Sequence, residues 1–243
     1  MQRHRFYAPP AQTNDTQILL DADEAHHLTR VLRLSAGATV FAFDGIGNEY
    51  ECRVAQADKR SVTLDINRAL TDAIDSPLRL TLAQALVKGD KFDLIVQKAT
   101  ELGVTRIVPL ITDNSDIRKA EDRAEQKLTR WRRIALEAVK QCGRRTLVEL
   151  VEPQSFMDFC AAEQSETRWL LAERDGQALS FARQTTASLA VAVGPEGGWS
   201  EAEFALARAH QFTALQLGRR ILRTETAALV AVTLAQAMSG DWQ

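Results

Sequence analysis

Two short stretches near the end of the chain carry residue types and spacings suited to ligand chemistry. The first is Gly194-Pro195-Glu196-Gly197-Gly198, and the second runs from Leu217-Gly218 through Ile221-Leu222-Arg223 to Thr224-Glu225. Glycines let a backbone approach a ligand closely and adopt positive φ, so main-chain N–H and C=O groups can face it. Glu196 places a carboxylate in the first turn, which repels phosphate and suits a cationic or hydroxyl-bearing ligand. No Gly-Lys-Ser/Thr follows, and the spacing is not G-x-G-x-x-G, which argues against nucleoside triphosphate and dinucleotide loops. In the second stretch, Leu217, Gly218, Ile221 and Leu222 offer backbone contacts and an apolar wall for a flat ring. Arg223 stands beside a helix N-terminus, where the macrodipole disfavours a cation. A charge placed against the local rule marks a functional residue. Thr224 as a helix cap and Glu225 in a first turn need no ligand, and an ordinary strand-to-helix turn also uses glycine.

These residues need elements to hold them. Leu189 to Val193 is an apolar run cut off by Gly194-Pro195, as in a strand buried on both faces of a parallel sheet. Ser200 and Glu203 form a capping box, with Trp199 and Phe204 at the staple positions, so a helix opens directly after the turn. Phe212 to Leu217 is a second strand ending at Gly218. Two strand-to-helix junctions of this kind place one ligand site at the carboxyl ends of neighbouring strands. Ala227 to Met238 holds no charged residue. A helix apolar all round is either core or the interface of an oligomer.

Upstream, the alternation of Leu78, Leu80 and Leu82 gives way to helical spacing at Phe92, Ile95, Val96, Ala99 and Leu102, closed by Gly103. Val104 to Leu110 returns to a strand, which makes a βαβ unit and a parallel sheet. Ala120 to Cys142 reads as a long helix with Leu128, Trp131, Ala135, Ala138 and Cys142 on one face. Thr146 to Val151 and Arg168 to Ala172 read as further strands. The first seventy residues differ. A short helix over Asp23 to Leu32 is followed by strands over Thr39–Phe43, Glu49–Ala55 and Ser61–Ile66, joined by turn-rich segments. That pattern predicts a small β-barrel. The polar stretch Leu70 to Pro77 separates a domain over residues 1–72 from one over residues 76–243.

The chain has 243 residues, is 45% hydrophobic and has a formal net charge of −2. No run approaches the ~20 apolar residues of a membrane span, and the N-terminus lacks an apolar signal region. Three unclustered cysteines fit reduced thiols in a cytoplasm. No spacing suggests a metal site. A near-neutral charge excludes a globally basic nucleic-acid binder, so phosphate contacts must come from local groups. Arg130, Arg132, Arg133 and Lys140 are offset by Glu121, Asp122, Glu125 and Glu137, as on a solvated helix face. Arg144 and Arg145 follow that helix with no acid beside them in the sequence. Arg3, Arg5, Arg30 and Arg33 form a second basic group interleaved with Phe6 and Tyr7.

The Gly194-Pro195-Glu196-Gly197-Gly198 turn and the Leu217-Gly218 to Thr224-Glu225 block, in this order and spacing, resemble the RsmE family of the SPOUT (α/β-knot) methyltransferases. His27, Val31, Leu32 and Arg33, with Phe43-Asp44-Gly45, resemble that family's N-terminal domain. Lys88-Gly89, Gln97-Lys98, Glu101-Leu102-Gly103 and Gln141-Cys142-Gly143-Arg144 resemble its middle segment. The resemblance covers most of the chain. It implies an α/β protein with an N-terminal PUA-like β-barrel and a C-terminal SPOUT domain threaded as a trefoil knot. The implied activity is transfer of a methyl group from S-adenosylmethionine to N3 of a uridine in small-subunit (16S) ribosomal RNA, in a cytoplasmic homodimer that uses no metal. Leu171, Gly194 to Gly198, Leu217, Gly218 and Ile221 to Thr224 are then expected to hold the cofactor. Arg223, Glu225 and Glu196 are the expected catalytic residues. Arg3, Arg5, His27, Arg30, Arg33, Lys88, Arg144 and Arg145 are expected to contact RNA. Two other readings share the motifs: a SPOUT ribose 2′-O-methyltransferase, and a non-catalytic RNA-binding or ribosome-assembly factor.

Overall fold

A computed structural model describes residues 3–58, 61–72, 74–115, 124–173, 176–178 and 185–242. The chain divides into two units: residues 1–75 with 139–147, and residues 76–138 with 148–243. Residues 139–147, expected in the second domain, therefore group with the first.

The first unit is built on β1 (Arg5–Tyr7), β2 (Gln17–Leu20), β3 (Thr39–Phe43), β4 (Glu49–Ala57) and β5 (Val62–Leu70). They form one sheet in the order β1-β3-β4-β5-β2, antiparallel except for the β1–β3 pair. Alternation works as the sequence predicts: Val40, Ala42, Cys52, Val54, Val62 and Leu64 all bury inward. The tight β3–β4 turn is tied by the Asp44 carboxylate, which accepts from the backbone N–H of Ile46 at 2.9 Å and Asn48 at 3.0 Å. β1 and β2 are too short to show a period, and the sequence pattern misses both. Helix α1 (Ala22–His26) is capped by Asp21 and continues into a π-helical turn over His27–Val31, so the expected helix changes its winding halfway.

A buried ionic cluster joins residues 139–147 to this sheet. Glu49, only 2% exposed, accepts from Arg5 Nε at 2.6 Å and Arg145 Nε at 3.0 Å. Arg5 also donates to the carbonyls of Val139, Lys140 and Arg144. Arg145 also donates to those of Leu70 and Asp72. Arg144 pairs with Asp75 at 3.1 Å, and Lys140 with Glu24 at 2.8 Å. This corrects the expectation that Arg5, Arg144 and Arg145 face RNA. Their guanidinium groups are buried and committed to carboxylates and carbonyls far away in sequence.

The second unit has a parallel sheet of β6 (Arg79–Ala85), β7 (Arg106–Ile111), β8 (Glu149–Leu150), β9 (Gln154–Ser155), β10 (Thr167–Leu171), β11 (Gln177–Ala178), β12 (Ser188–Val193) and β13 (Thr213–Gln216). Its order is β11-β13-β10-β12-β6-β7-β8, with β9 also on β7. Both expected junction strands lie in it, β12 between β10 and β6, and β13 beside β10. Of the expected strand over Thr146 to Val151, only Glu149–Leu150 joins this sheet, while Thr146 bridges Gly45 and Ile46 of the first unit.

Helix α2 (Lys91–Glu101) joins β6 to β7, and α3 (Ala124–Cys142) follows. The predicted α3 start, residues 120–123, lies outside the described residues. Phe92 of α2 packs on Trp131 of α3, ring centroids 4.2 Å apart. Helix α6 (Thr224–Ser239) buries Ala228, Ala231, Val232 and Ala235 in this same core. Helices α4 (Phe156–Ala162) and α5 (Glu201–Ala209) belong with a second cluster of Phe156, Phe159, Phe212 and the inward residues of β12. Among the described residues, no helix is long and apolar enough to cross a membrane.

Candidate active site

The carboxyl ends of β10, β12 and β13 open onto one cavity of about 700 Å³. All residues expected to hold a cofactor line it except Gly218. Lys91, Glu173, Trp199, Gln216 and Arg220 line it too. The sequence reading missed Lys91 because it reaches the site from the start of a different helix.

The wall at 194–198 is shaped by local chemistry. The capping box on α5 is complete: Ser200 Oγ accepts from the Glu203 N–H at 3.2 Å, and Glu203 Oε2 accepts from the Ser200 N–H at 2.9 Å. Trp199 packs on Phe156 and donates from Nε1 to the Leu171 carbonyl at 2.9 Å, tying this turn to β10. The turn closes with a Gly198 N–H to Pro195 carbonyl bond of 3.0 Å, and Gly198 has φ +72. Gly197 is glycine for a different reason. Its φ is not positive, but a Cβ there would sit 3.0 Å from Asn114 Cβ. Asn114 in turn donates from Nδ2 to the carbonyls of Gly197 (3.3 Å) and Gly198 (3.0 Å).

Thr224 locks the second wall to the first. Arg223, not Thr224, occupies the N-cap of α6, and Thr224 is the first helical residue. The Thr224 hydroxyl donates to the Gly194 carbonyl at 2.8 Å and accepts from Gln84 Nε2 at 3.0 Å. Its proton is therefore committed within the fold and is not offered to a substrate. Gln84 is fully buried in the middle of the sheet, and no local pattern marks it.

The three residues expected to be catalytic are placed differently. Arg223 is exposed and lines it. Glu196 is ion-paired with Lys91. The Lys91 hydrogen bond and charge, with smaller help from Lys88 and Arg223, hold the Glu196 carboxyl below the usual carboxylate range. That suits a permanent anion facing a cationic ligand and makes a poor proton acceptor. Glu225 lies in the first turn of α6, outside the cavity lining, and its Oε2 is buried with no hydrogen-bond partner. Of the residues expected to contact RNA, Arg3, Arg30, Arg33 and Lys88 are exposed. His27 is half-buried, edge-on to Phe6 at 6.0 Å. Arg33 holds a positive φ of 55°.

The cavity fits S-adenosylmethionine. A fixed carboxylate at Glu196 suits its positive charge, main-chain groups of the two turns suit its hydroxyls, and Leu171, Ile221 and Leu222 form an apolar wall. A parallel sheet with its cavity at the strand ends, in a chain that also carries a small β domain, defines the class, and family models agree. Residues 75–236 match an RNA methyltransferase domain, and residues 20–67 match an RNA methyltransferase PUA domain. The chain belongs to the ribosomal RNA small subunit methyltransferase E family. It is 32% identical to the member from Synechocystis sp., covering 97% of this chain and 78% of that protein. It is also 32% identical to the member from Aquifex aeolicus, covering 95% and 98%. The crystal structure of the Neisseria gonorrhoeae family member bound to S-adenosyl methionine superposes with a TM-score of 0.92 at 32% identity, covering both chains completely. A methyltransferase structure from Legionella pneumophila in complex with bound cofactor SAM gives 0.89 at 31% identity, covering 99% and 100%.

Proposed function

We propose that this chain is an S-adenosylmethionine-dependent methyltransferase that acts on N3 of a uridine in small-subunit ribosomal RNA. The observation that carries the reading is the cavity shared by the two glycine turns, with Arg223 on its wall and Glu196 fixed as an anion. When bound, the cofactor supplies an activated methyl group on a sulfonium. The protein's own residues do the rest. The attacking atom is an imide nitrogen whose proton must leave, and charge then spreads onto the two neighbouring carbonyl oxygens. Arg223 donates to such an oxygen and stabilises the developing anion, aided by the N-terminal end of α6. Neither carboxylate is placed to take the proton, because Glu196 is held ionised by Lys91 and Glu225 lies outside the cavity lining, so the proton passes to water.

The substrate is ribosomal RNA or the small subunit, and the setting is the cytoplasm. RNA is held by Arg3, His27, Arg30 and Arg33 of the first unit and by Lys88 of the second. The chain forms a homodimer through the outer face of α6, where Thr226, Leu229, Val230, Thr233 and Ala237 are exposed or half-buried without a charge among them. The segment from β13 into α6 threads the trefoil knot, in keeping with the Thr224 bonds that lock the start of α6 against β6 and the end of β12. Nucleoside mass mapping of ribosomal RNA from a strain lacking the gene tests the activity: a single N3-methyluridine should disappear. Loss of a ribose methyl instead would establish the 2′-O reading. Cofactor binding with no methyl transfer would establish the assembly factor.

A further inference from the structure

A second cleft, of about 450 Å³, opens at the same edge of the sheet. It lies between the loop after β6 (Leu86, Val87, Lys88) and the turn after β7 (Asp113, Asn114, Ser115). Among the described residues, the wall it shares with the cofactor cavity is residues 195–197. We infer that this cleft receives the target nucleotide, whose base reaches the methyl donor at the rim that the two cavities share, residues 195–197. The inference rests on the methyltransferase reading above and adds where the acceptor sits.

The size falls in the range of small-molecule pockets, about 300–1,000 Å³. A base in a paired stem is inaccessible, so enzymes that modify bases accept them unstacked in a pocket of this kind. The charges sort the parts of a nucleotide. Glu196 is ionised, and Asp113 accepts from Ser200 Oγ at 2.6 Å. Two carboxylates keep a phosphate out of the interior but tolerate a neutral ring. Exposed Lys88 stands at the cleft to hold a phosphate. Leu86, Val87 and Pro195 provide apolar surface for the faces of a base. Asn114 anchors the shared wall with Nδ2, and its Oδ1 is an acceptor for a ribose hydroxyl or an imide N–H.

The cleft is also built in advance. Ser115 Oγ accepts from the Thr112 N–H at 2.9 Å and donates to its carbonyl at 2.8 Å. The Asp113 N–H donates to Glu203 Oε1 at 3.0 Å, which ties this turn to the capping box of α5. One buried carboxylate, Glu203, thus fixes both the turn beside the cofactor and the turn lining the cleft. Such preorganisation is what alignment of two reactants requires.

The test uses the full-length protein and a small-subunit ribosomal RNA fragment transcribed with 4-thiouridine. Photocrosslinking in the presence of S-adenosylhomocysteine should label residues 86–88 or 113–115. In parallel, Val87→Trp should fill the cleft, leave cofactor affinity by calorimetry unchanged, and slow single-turnover methyl transfer at least ~10²-fold. Three results overturn the inference while the wild type methylates this RNA: crosslinks confined to other residues, a Val87→Trp rate equal to wild type, or loss of cofactor affinity in step with rate. The last would assign the cleft to the cofactor. Crosslinking on the unaltered protein decides the matter even if the variant fails to fold. A wild type that transfers no methyl to uridine N3 overturns the underlying reading instead.

Discussion

Replacing Thr224 by valine is the sharpest probe of how the site is held. The exchange keeps the branched shape and removes the hydroxyl from a side chain that is 7% exposed. Two hydrogen bonds vanish. The Gly194 carbonyl loses the donor 2.8 Å away, leaving an unsatisfied acceptor at a cost of about 1–3 kcal/mol. Gln84 Nε2 loses one acceptor but keeps the Ala85 carbonyl at 3.1 Å, so this loss is nearer a net hydrogen bond, about 0.5–1.5 kcal/mol. Together they come to about 1.5–4.5 kcal/mol against a total of about 5–15 kcal/mol for a folded domain, so the variant remains folded. Urea unfolding followed by tryptophan fluorescence should show the midpoint falling at unchanged slope. Thr224→Ser should recover most of the loss, because the hydroxyl returns. Cofactor at about 100 times its dissociation constant adds about 2.7 kcal/mol to the wild type. At that same concentration the valine variant should gain less, since the Gly194 wall is no longer anchored. A valine variant within about 0.5 kcal/mol of wild type, the usual range for an inconsequential surface change, would refute the argument that this hydroxyl joins the two turns.

Gly197→Val should abolish most cofactor-induced stabilisation in calorimetry, because its Cβ meets Asn114 Cβ at 3.0 Å. Arg223→Ala should lower turnover by about 10²–10³ with little change in cofactor affinity, and Arg223→Lys should recover only part. Arg33→Ala should flatten the salt dependence of RNA binding by roughly 0.7–0.9 log unit for each phosphate that the side chain neutralises. Arg145→Ala should leave that slope unchanged and instead cost about 3 kcal/mol in urea unfolding, because Glu49 stays buried with one of its two cations removed. The carboxyl of Glu196 has a depressed folded value, so its ion pair with Lys91 is intact above the ordinary carboxylate pKa of about 4.3 and is lost as pH falls through the lower folded value. Glu196→Gln should remove that acid limb from a titration of cofactor binding.

Local signals carried far in this chain. The β12 run, the capping box on Ser200 and Glu203, and the turn at 194–198 are each written within a few consecutive residues, and each has the expected form. What the sequence reading missed depends on distance along the chain. Gln84 meets Thr224 across 140 residues and Lys91 meets Glu196 across 105, and neither has a spacing to detect. Arg144 and Arg145 look unpaired in the sequence because their acids, Asp75 and Glu49, lie 69 and 96 residues earlier. The glycine at 197 was legible as a requirement for a small residue. Its cause was not, because Asn114 belongs to another turn. The π-helical turn at His27–Val31 keeps apolar spacing close to that of an ordinary helix, so periodicity does not distinguish them.

The pairing of Glu49 with Arg145 also sets an order of events during synthesis. The β4 strand leaves the ribosome early, but the second cation for its buried carboxylate is made 96 residues later. At about 5–20 residues per second, that is a wait of roughly 5–20 seconds. Over that interval the nascent N-terminal sheet lacks Arg145 and the carbonyls of residues 139–144 that Arg5 binds. Its last interactions form only once β6 and β7 of the parallel sheet have also been translated. A ribosome stalled before residue 145 should therefore hold an N-terminal segment more open to protease than the same segment in the finished chain.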